Sequence, residues 1–547
     1  MKILGIAGGE HSCGLAYLEN GKPIFAFEEE RHNRIKTYKD FHEGVFRSPY
    51  DCGQNVPYHE GFDWNKIDYV TSHFDIENIK IQWRNMGLGP FPTNKFIEID
   101  HHEAHCNLAY YCSGFKEPTL VISLDGGGGE YYGKYYLGEN GNLQYIDGIP
   151  LSQKSLGKYY CMLTEFLGWK RLKDEGKVVG LASHGKYIPW IYEAFNECIT
   201  VKGHNTDNDY HENEQPGNRY KIYKDFYKLF IEKNPFNMEH RQRSSYGPNA
   251  WTRENIAFNG QLVFEEKILQ IIHSLKTKHP QVEKIALSGG VFANVKLNKK
   301  INELEWVKEV FITPSMDDNG LPLGCALAVH KIKNEEFKPF KLKNTFLGTQ
   351  YNDSEFNYDK QKFTERPYNE EEIAYDLKEG KVIGWFQGKY EHGPRALCNR
   401  SIIADPSVPG TYKKINDKLQ RNDRMPFAPV VIDKYADEIF YVNKSRYTAE
   451  FMTMLYDTKE KWQDKIPAVV HPIDKTARIQ IVTNNSNSKF YNLINKFNDI
   501  TGIPVLLNTS FNIHGEPIVC HPKEAFVHLD NNIVDRLIIN NKTYTKK

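Results

Sequence analysis

Apolar residues in the first thirty positions fall into three short runs separated by turn formers. Lys2 to Ala7 ends in Gly8-Gly9, Gly14-Leu-Ala-Tyr-Leu18 closes at Glu19-Asn-Gly21, and Pro23-Ile-Phe-Ala-Phe27 follows. Short apolar runs bounded by Gly and Asn predict a strand, turn, strand, turn, strand meander. The same grammar returns where Thr119-Leu-Val-Ile-Ser-Leu124 meets Asp125 and four glycines, then Gly133-Lys-Tyr-Tyr-Leu137 and a Glu139-Asn-Gly141 turn. Apolar spacing of three to four predicts helices over 103–111, 158–167, 255–277 and 320–332. Segment 201–254 is polar and interrupted by Pro216, Pro235 and Pro248, so it reads as a long insertion or lid. Residues 333–343 are charged with little apolar pattern and read as a linker. Beyond them, 371–379 predicts a helix that stops at Gly380, 382–386 predicts a strand, and strands and helices alternate to the end. The expected division is therefore 1–345 and 346–547.

A meander that occurs twice, each time with a glycine turn after its first strand, suggests an internal duplication of the kind found in actin and hexokinase type ATP-binding folds. The expected class is α/β in both halves. At 547 residues, 40% hydrophobic and 26% charged, the chain has the make-up of a multi-domain globular protein and not of a disordered one. Seventy Lys and Arg balance seventy Asp and Glu, so net charge alone argues for neither nucleic acid nor an anionic membrane as partner. Nine scattered cysteines without a CxxC pair fit a reducing compartment. The short N-terminal apolar run meets Glu10 and His11, and nowhere do about eighteen apolar residues run together. The expected location is cytoplasmic.

Three constellations carry chemistry. In Asp100-His-His-Glu-Ala-His105, His101 and His105 lie four apart on a helical stretch, the geometry of paired metal ligands. Asp125 at a strand end and Asp318 in Met316-Asp-Asp-Asn-Gly320 are candidate carboxylate ligands; the alternative is that both histidines are ordinary surface or capping residues. Glycine backbones at Gly126, Gly127 and Gly128, and again at Gly289 and Gly290 in Leu287-Ser-Gly-Gly-Val-Phe-Ala-Asn294, are able to approach phosphate closely, although each is also compatible with a plain tight turn. Neither a Walker pattern nor a GxGxxG at a strand-to-helix junction is present, which excludes P-loop and dinucleotide readings. In the second half, Arg395 in Gly393-Pro-Arg-Ala-Leu, then Lys418, Arg421, Arg424 and Arg478, and the run Leu507-Asn-Thr-Ser-Phe-Asn512 supply guanidinium, amide and hydroxyl donors suited to a small phosphorylated anion. Solvated surface charge is the alternative for Lys418, Arg421 and Arg424.

Taken together, these motifs resemble the O-carbamoyltransferase family of nodulation-factor, cephamycin and aminoglycoside tailoring enzymes. The likeness is carried by Gly9-Glu-His-Ser-Cys-Gly14, Glu28-Glu-Glu-Arg-His-Asn-Arg-Ile-Lys36, the His101 to His105 run, Glu175-Gly-Lys-Val-Val-Gly-Leu-Ala182, Leu287 to Asn294, Gly384-Trp-Phe-Gln-Gly388, Gly393 to Ser401, Met425-Pro-Phe-Ala-Pro429 and Leu507 to Asn512. The resemblance implies an actin-like N-terminal domain followed by a YrdC-like domain. It further implies that carbamoyl phosphate and ATP give carbamoyl adenylate in the second domain, and that the first transfers the carbamoyl group to an acceptor hydroxyl. By the same resemblance, Arg395, Lys418, Arg421, Arg478, Asn508 and Ser510 hold carbamoyl phosphate. Gly126, Gly127, Gly128, Lys177, Gly180, Gly289, Gly290 and Asn294 face nucleotide, and His101, His105, Asp125 and Asp318 bind a divalent metal, iron in the family, with Mg2+ accompanying the ATP. His11 takes the acceptor's proton. The chain departs from the family pattern in four places: Ser12 stands where an acidic residue is usual, His392 where many members have Phe, Lys418-Leu-Gln-Arg421 displaces a lysine by one residue, and Met425 stands where an arginine usually precedes Pro-Phe-Ala-Pro.

The acceptor is expected to be a small metabolite or a hydroxymethylated nucleotide or DNA base. Residues 218–233 interleave lysines with aromatics and are followed by Arg241, Arg243 and Arg253, which suits a nucleic acid, but an amphipathic helix with solvated lysines has the same pattern. Two other functions fit parts of the chain: a threonylcarbamoyladenosine-type tRNA-modifying enzyme, and a non-catalytic actin-like ATP-binding protein. No membrane partner is expected, and an oligomer is compatible with the sequence.

Overall fold

The computed structural model describes residues 1–8, 12–36, 49–55, 62–207, 252–421 and 425–547. Two five-stranded sheets in the front half share one topology. In the first, Lys2–Ala7 pairs antiparallel with Gly14–Glu19, which pairs antiparallel with Lys22–Glu28; on its other edge, Lys2–Ala7 runs parallel to Tyr69–Ser72, and that strand to Phe96–Glu98. In the second, Thr119–Gly128 takes the place of Lys2–Ala7. Tyr131–Glu139 and Asn142–Pro150 form its antiparallel meander, and Lys284–Ser288 and Glu309–Ile312 its parallel extension. The duplicated meander is therefore real, and it is the actin/hexokinase-like arrangement. Strands that alternate with helical crossovers pair in parallel, and hairpin strands pair antiparallel, so the mixed order follows from the connection lengths.

Two helices, His101–Ser113 and Leu321–Lys333, fill the space between these sheets, and their apolar side chains join one core. Glycines allow the close approach. A Cβ on Gly324 would sit 2.2 Å from the Ala104 carbonyl oxygen, and one on Gly5 would sit 1.8 Å from the Pro322 oxygen. The helix predicted over 255–277 is present as Arg253–Lys278, and the others as His101–Ser113, Leu156–Phe166 and Leu321–Lys333.

The second half is built on one mixed sheet of eight strands, in the order Phe363–Pro367, Lys542–Lys546, Arg536–Ile539, Ile383–Phe386, Arg400–Ala404, Val505–Ser510, Ala428–Ile432, Gln480–Val482. Helix Glu370–Lys378 stops before Gly380, whose φ of +79° only glycine adopts without strain, and the chain then enters Ile383–Phe386. None of the nine cysteines is in a disulfide. Among the described residues, no helix is long and apolar enough to cross a membrane.

The halves are clamped by the segment Glu28 to Lys36, the motif to which sequence reasoning assigned no role. Buried Arg31 pairs with Glu28 at 3.0 Å and donates to the Gly393 carbonyl at 2.8 Å, while Glu28 accepts from the Gly393 N–H at 2.5 Å. Arg34 donates to the carbonyls of Ile518 at 2.6 Å and Pro517 at 2.7 Å. These bonds give a buried cation a carboxylate from its own half and a carbonyl from the other, which ties burial of Arg31 to apposition of the halves.

Candidate active site

Asp100 starts the helix His101–Ser113 by accepting from the Glu103 N–H at 3.0 Å, an N-cap that sets which way the following histidines project. His102 is turned away and spent on structure, its Nδ1 2.8 Å from Ser123 Oγ and its Nε2 2.9 Å from the Tyr131 carbonyl. His101 and His105 meet Asp125 from the central strand and Asp318 from the turn Asp318–Gly320, and one ligand atom from each of the four lies within 4.8 Å of all the others. His105 Nε2 is 3.2 Å from Asp318 and 3.4 Å from Asp125, and His101 Nε2 is 3.6 Å from Asp318.

The glycine turns serve this cluster. A Cβ on Gly128 would fall 2.2 Å from the His101 ring, so only glycine leaves room for that imidazole. Gly126 N–H and Gly290 N–H donate to the two oxygens of Asp125, at 2.5 and 3.1 Å, and Ser288 Oγ holds His105 Nδ1 at 3.0 Å. The run after Asp125 is not a simple turn. The strand continues through an irregularity to Gly128, and the turn follows at Gly129, which has φ +58°.

Electrostatics inside the cluster favour a cation. Burial opposes protonation of His105, yet hydrogen bonds to Asp125 and Asp318 outweigh it and lift its pKa to about 9. His101 goes the other way: burial lowers it, the carboxylate of Asp318 compensates only in part, and His105 adds repulsion. His101 Nε2 is buried without a hydrogen-bond partner. Two imidazoles and two carboxylates converging on one point, one imidazole nitrogen being orphaned, are a donor set that fits a divalent transition metal.

Between the halves lies a cleft of about 300 Å³. The front half lines it with Lys36, Lys173, Asp174 and Lys177, and the back half with Arg395, Arg421, Arg478, Asn508 and Ser510. Burial drives the Arg478 guanidinium well below its ordinary pKa, and Arg395 and Arg421 repel it further. Burial lowers Arg395 too, against partial compensation by Asp317. The Nε atoms of Arg395 and Arg478 are buried without a hydrogen-bond partner. Buried like charges with orphaned donors are costly, and an anion bound among them removes the cost.

The structure separates the predicted phosphate ligands. Arg395, Arg421, Arg478, Asn508 and Ser510 share the cleft, with Thr509 Oγ1 and Ser510 Oγ holding Arg421 at 2.8 and 2.9 Å. Lys418 does not line it, because Asp535 and the Asn532 carbonyl capture its ammonium at 2.9 and 2.8 Å on another face. Asn294 is likewise spent on structure. Its amide pairs reciprocally with Gln261 and caps the helix Val295–Glu303. Lys177 lines the cleft, whereas a Cβ on Gly180 would lie 2.3 Å from Met425 Sδ, so that glycine is a packing contact. His11, Arg424 and residues 208–251, with the interleaved stretch 218–233, lie outside the described residues. Lys36 and Lys173 were given no role by sequence reasoning, whereas Thr509 lies in the run it had marked for hydroxyl donors. Isolated lysines carry no local signal, and only the fold brings them to the arginines.

A carbamoyltransferase N-terminus model matches residues 91–327 and a carbamoyltransferase C-terminus model matches residues 374–546, so the histidine–aspartate residues fall in the first matched region and the arginine motifs in the second. The chain belongs to the carbamoyltransferase family. It is 32% identical to the uncharacterized protein MJ1051 of Methanocaldococcus jannaschii, over 100% of this chain and 99% of that one. It is 28% identical to the nodulation protein NolNO of Sinorhizobium fredii, over 98% of this chain and 79% of that protein. A 3'-hydroxymethylcephem-O-carbamoyltransferase of Amycolatopsis lactamdurans matches 49% of this carbamoyltransferase at 29% identity, over 50% of its own length. The metal-type cluster and most of the cleft lie within the two matched regions.

Proposed function

We propose that the enzyme is an ATP-dependent O-carbamoyltransferase that makes carbamoyl adenylate in the arginine cleft and transfers its carbamoyl group to an acceptor hydroxyl beside the histidine–aspartate cluster. The observation that carries this reading is the cleft's charge: among the described residues, six cationic side chains, drawn from both halves, line it against the single carboxylate of Asp174. That excess suits two phosphorylated substrates together, carbamoyl phosphate and a nucleoside triphosphate, better than one small anion.

In the first step, water cleaves carbamoyl phosphate to carbamate and phosphate. A carbamate oxygen then attacks the α-phosphorus of ATP, and the bond to the departing pyrophosphate breaks. Arg395, Arg421 and Arg478 neutralise the phosphate charge, and Lys36, Lys173 and Lys177 extend that field along the polyphosphate. In the second step the acceptor oxygen attacks the carbamoyl carbon, the bond to AMP breaks, and the hydroxyl proton passes to His11. A metal held by His101, His105, Asp125 and Asp318, iron by family resemblance, would polarise the adenylate when bound. A mixed anhydride hydrolyses readily, and the Glu28–Arg31 clamp favours its containment by holding the halves together around the cleft.

Incubation with ATP and radiolabelled carbamoyl phosphate tests the first step. Label in an adenylate is expected; label dependent only on threonine and bicarbonate would favour the tRNA-modifying class, and no turnover would favour a non-catalytic ATP-binding protein. Arg395→Ala should suppress adenylate formation, while His105→Ala should leave it and abolish transfer. Mass spectrometry of small hydroxylated metabolites, hydroxymethylated nucleotides and DNA for a gain of one carbamoyl group identifies the acceptor.

A further inference from the structure

The cleft and the histidine–aspartate cluster adjoin at a pair of loops, and a buried side chain bonds one loop to the other. The loop Gly393-Pro-Arg395 carries a cleft arginine, and the loop Asp317-Asp318-Asn319 carries a cluster carboxylate. His392, immediately before the first loop, is 4% exposed and places Nε2 3.0 Å from the Asn319 carbonyl oxygen in the second. A carbonyl only accepts, so Nε2 carries the proton and donates, and burial, which lowers this imidazole to about 4, keeps it neutral. The His392 N–H is itself anchored to the Thr345 carbonyl at 2.8 Å.

The two loops are pressed together around this bond. Gly393 has φ +112°, and a Cβ there would lie 2.8 Å from the Pro314 carbonyl oxygen, so the first loop packs directly on the chain that leads to Asp317. Asp317 acts electrostatically on Arg395 across the same contact, and its Oδ1 is buried without a hydrogen-bond partner. From the opposite side, Glu28 and Arg31 grip the Gly393 amide and carbonyl. The first loop therefore has little freedom to move without moving the second, and His392 supplies the directional bond between them.

We propose that His392 is a positioning residue that couples oxyanion binding in the arginine cleft to cation binding at the His101, His105, Asp125 and Asp318 cluster. This rests on the functional reading above. An oxyanion on Arg395 orders the Gly393–Arg395 loop, the His392–Asn319 bond passes that order to the turn bearing Asp318, and the cation then binds a better-formed site. Linkage makes the effect reciprocal: the cation raises oxyanion affinity by the same factor. In the reaction, the consequence is that the acceptor-side site is assembled when the cleft is filled.

The test uses the full-length protein, sulfate as the oxyanion and Co2+ as the cation. Sulfate affinity is read from thermal-shift titrations with and without Co2+, and Co2+ affinity from its visible absorption with and without sulfate, at constant ionic strength. The wild type is expected to show mutual enhancement of about fivefold or more. His392→Phe should still bind each ion but lose most of the enhancement, and His392→Gln, whose amide is able to donate to the Asn319 carbonyl, should restore it. A residue needed only for folding would lower stability without changing the ratio. Independent binding of the two ions in the wild type, or full enhancement in His392→Phe, overturns the coupling and leaves the two sites intact. Failure of wild-type sulfate to bind the cleft, or of Co2+ to bind the cluster, overturns the functional reading and the coupling with it.

Discussion

Replacing Arg478 with methionine separates the cost of the cleft from its use. In the structure this guanidinium is buried, repelled by Arg395 and Arg421, and leaves Nε without a hydrogen-bond partner. Removing an unsatisfied buried donor and one like charge, while keeping an apolar stem of similar length, should stabilise the protein by about 1–3 kcal/mol. With pyrophosphate bound the balance moves back toward the wild type, because the variant lacks one charge-assisted contact of about 1.5–3 kcal/mol, a loss of roughly 10- to 150-fold in affinity. At a pyrophosphate concentration about 100 times the wild-type Kd, the wild type gains about 2.7 kcal/mol, and the variant only about 0.3–1.4 kcal/mol. Thermal melts across a pyrophosphate series should therefore start with the variant above the wild type and converge or cross as ligand is added. A variant that melts below the wild type without ligand, and responds to pyrophosphate as the wild type does, would show Arg478 to be a structural residue and remove the basis for an anion cleft.

Further outcomes follow from other contacts. Gly128→Ala places a methyl 2.2 Å from the His101 ring, so Co2+ binding at the cluster should weaken at least tenfold while pyrophosphate binding is unchanged, as absorption and thermal-shift titrations would show. Arg31→Met leaves the Glu28 carboxylate buried without its cation, and denaturant titration should register a loss of about 3–5 kcal/mol together with weaker pyrophosphate binding. Glu450 has its pKa pushed up to about 7, chiefly by burial and against Lys341 and Arg446. Because the folded-state value lies above the unfolded one, its contribution is full below about pH 4.5 and is lost as pH rises through 7, so Glu450→Gln should melt higher than the wild type at pH 8 and lose part of the decline between pH 5 and 8.

Local pattern determined a good part of this protein. The meanders after Lys2 and Thr119 are legible because strand length and turn residues are properties of a few neighbouring positions, and His101 and His105 are legible as a pair because one helical turn aligns them whatever the fold. Arg395, set between a positive-φ glycine, a proline and apolar residues, was marked by its immediate context too. Tertiary structure decided which charges matter. Lys418 and Arg421 are three residues apart, yet Asp535 holds one at the surface while Thr509 and Ser510 hold the other in the cleft, and those partners lie about ninety or more positions away. The same holds for Gly128, whose task is to admit a histidine ring from a neighbouring helix, and for Arg31 and His392, whose bonds join the two halves. A side chain's energy depends on the groups brought within a few ångströms of it, and over such separations only the folded chain specifies them.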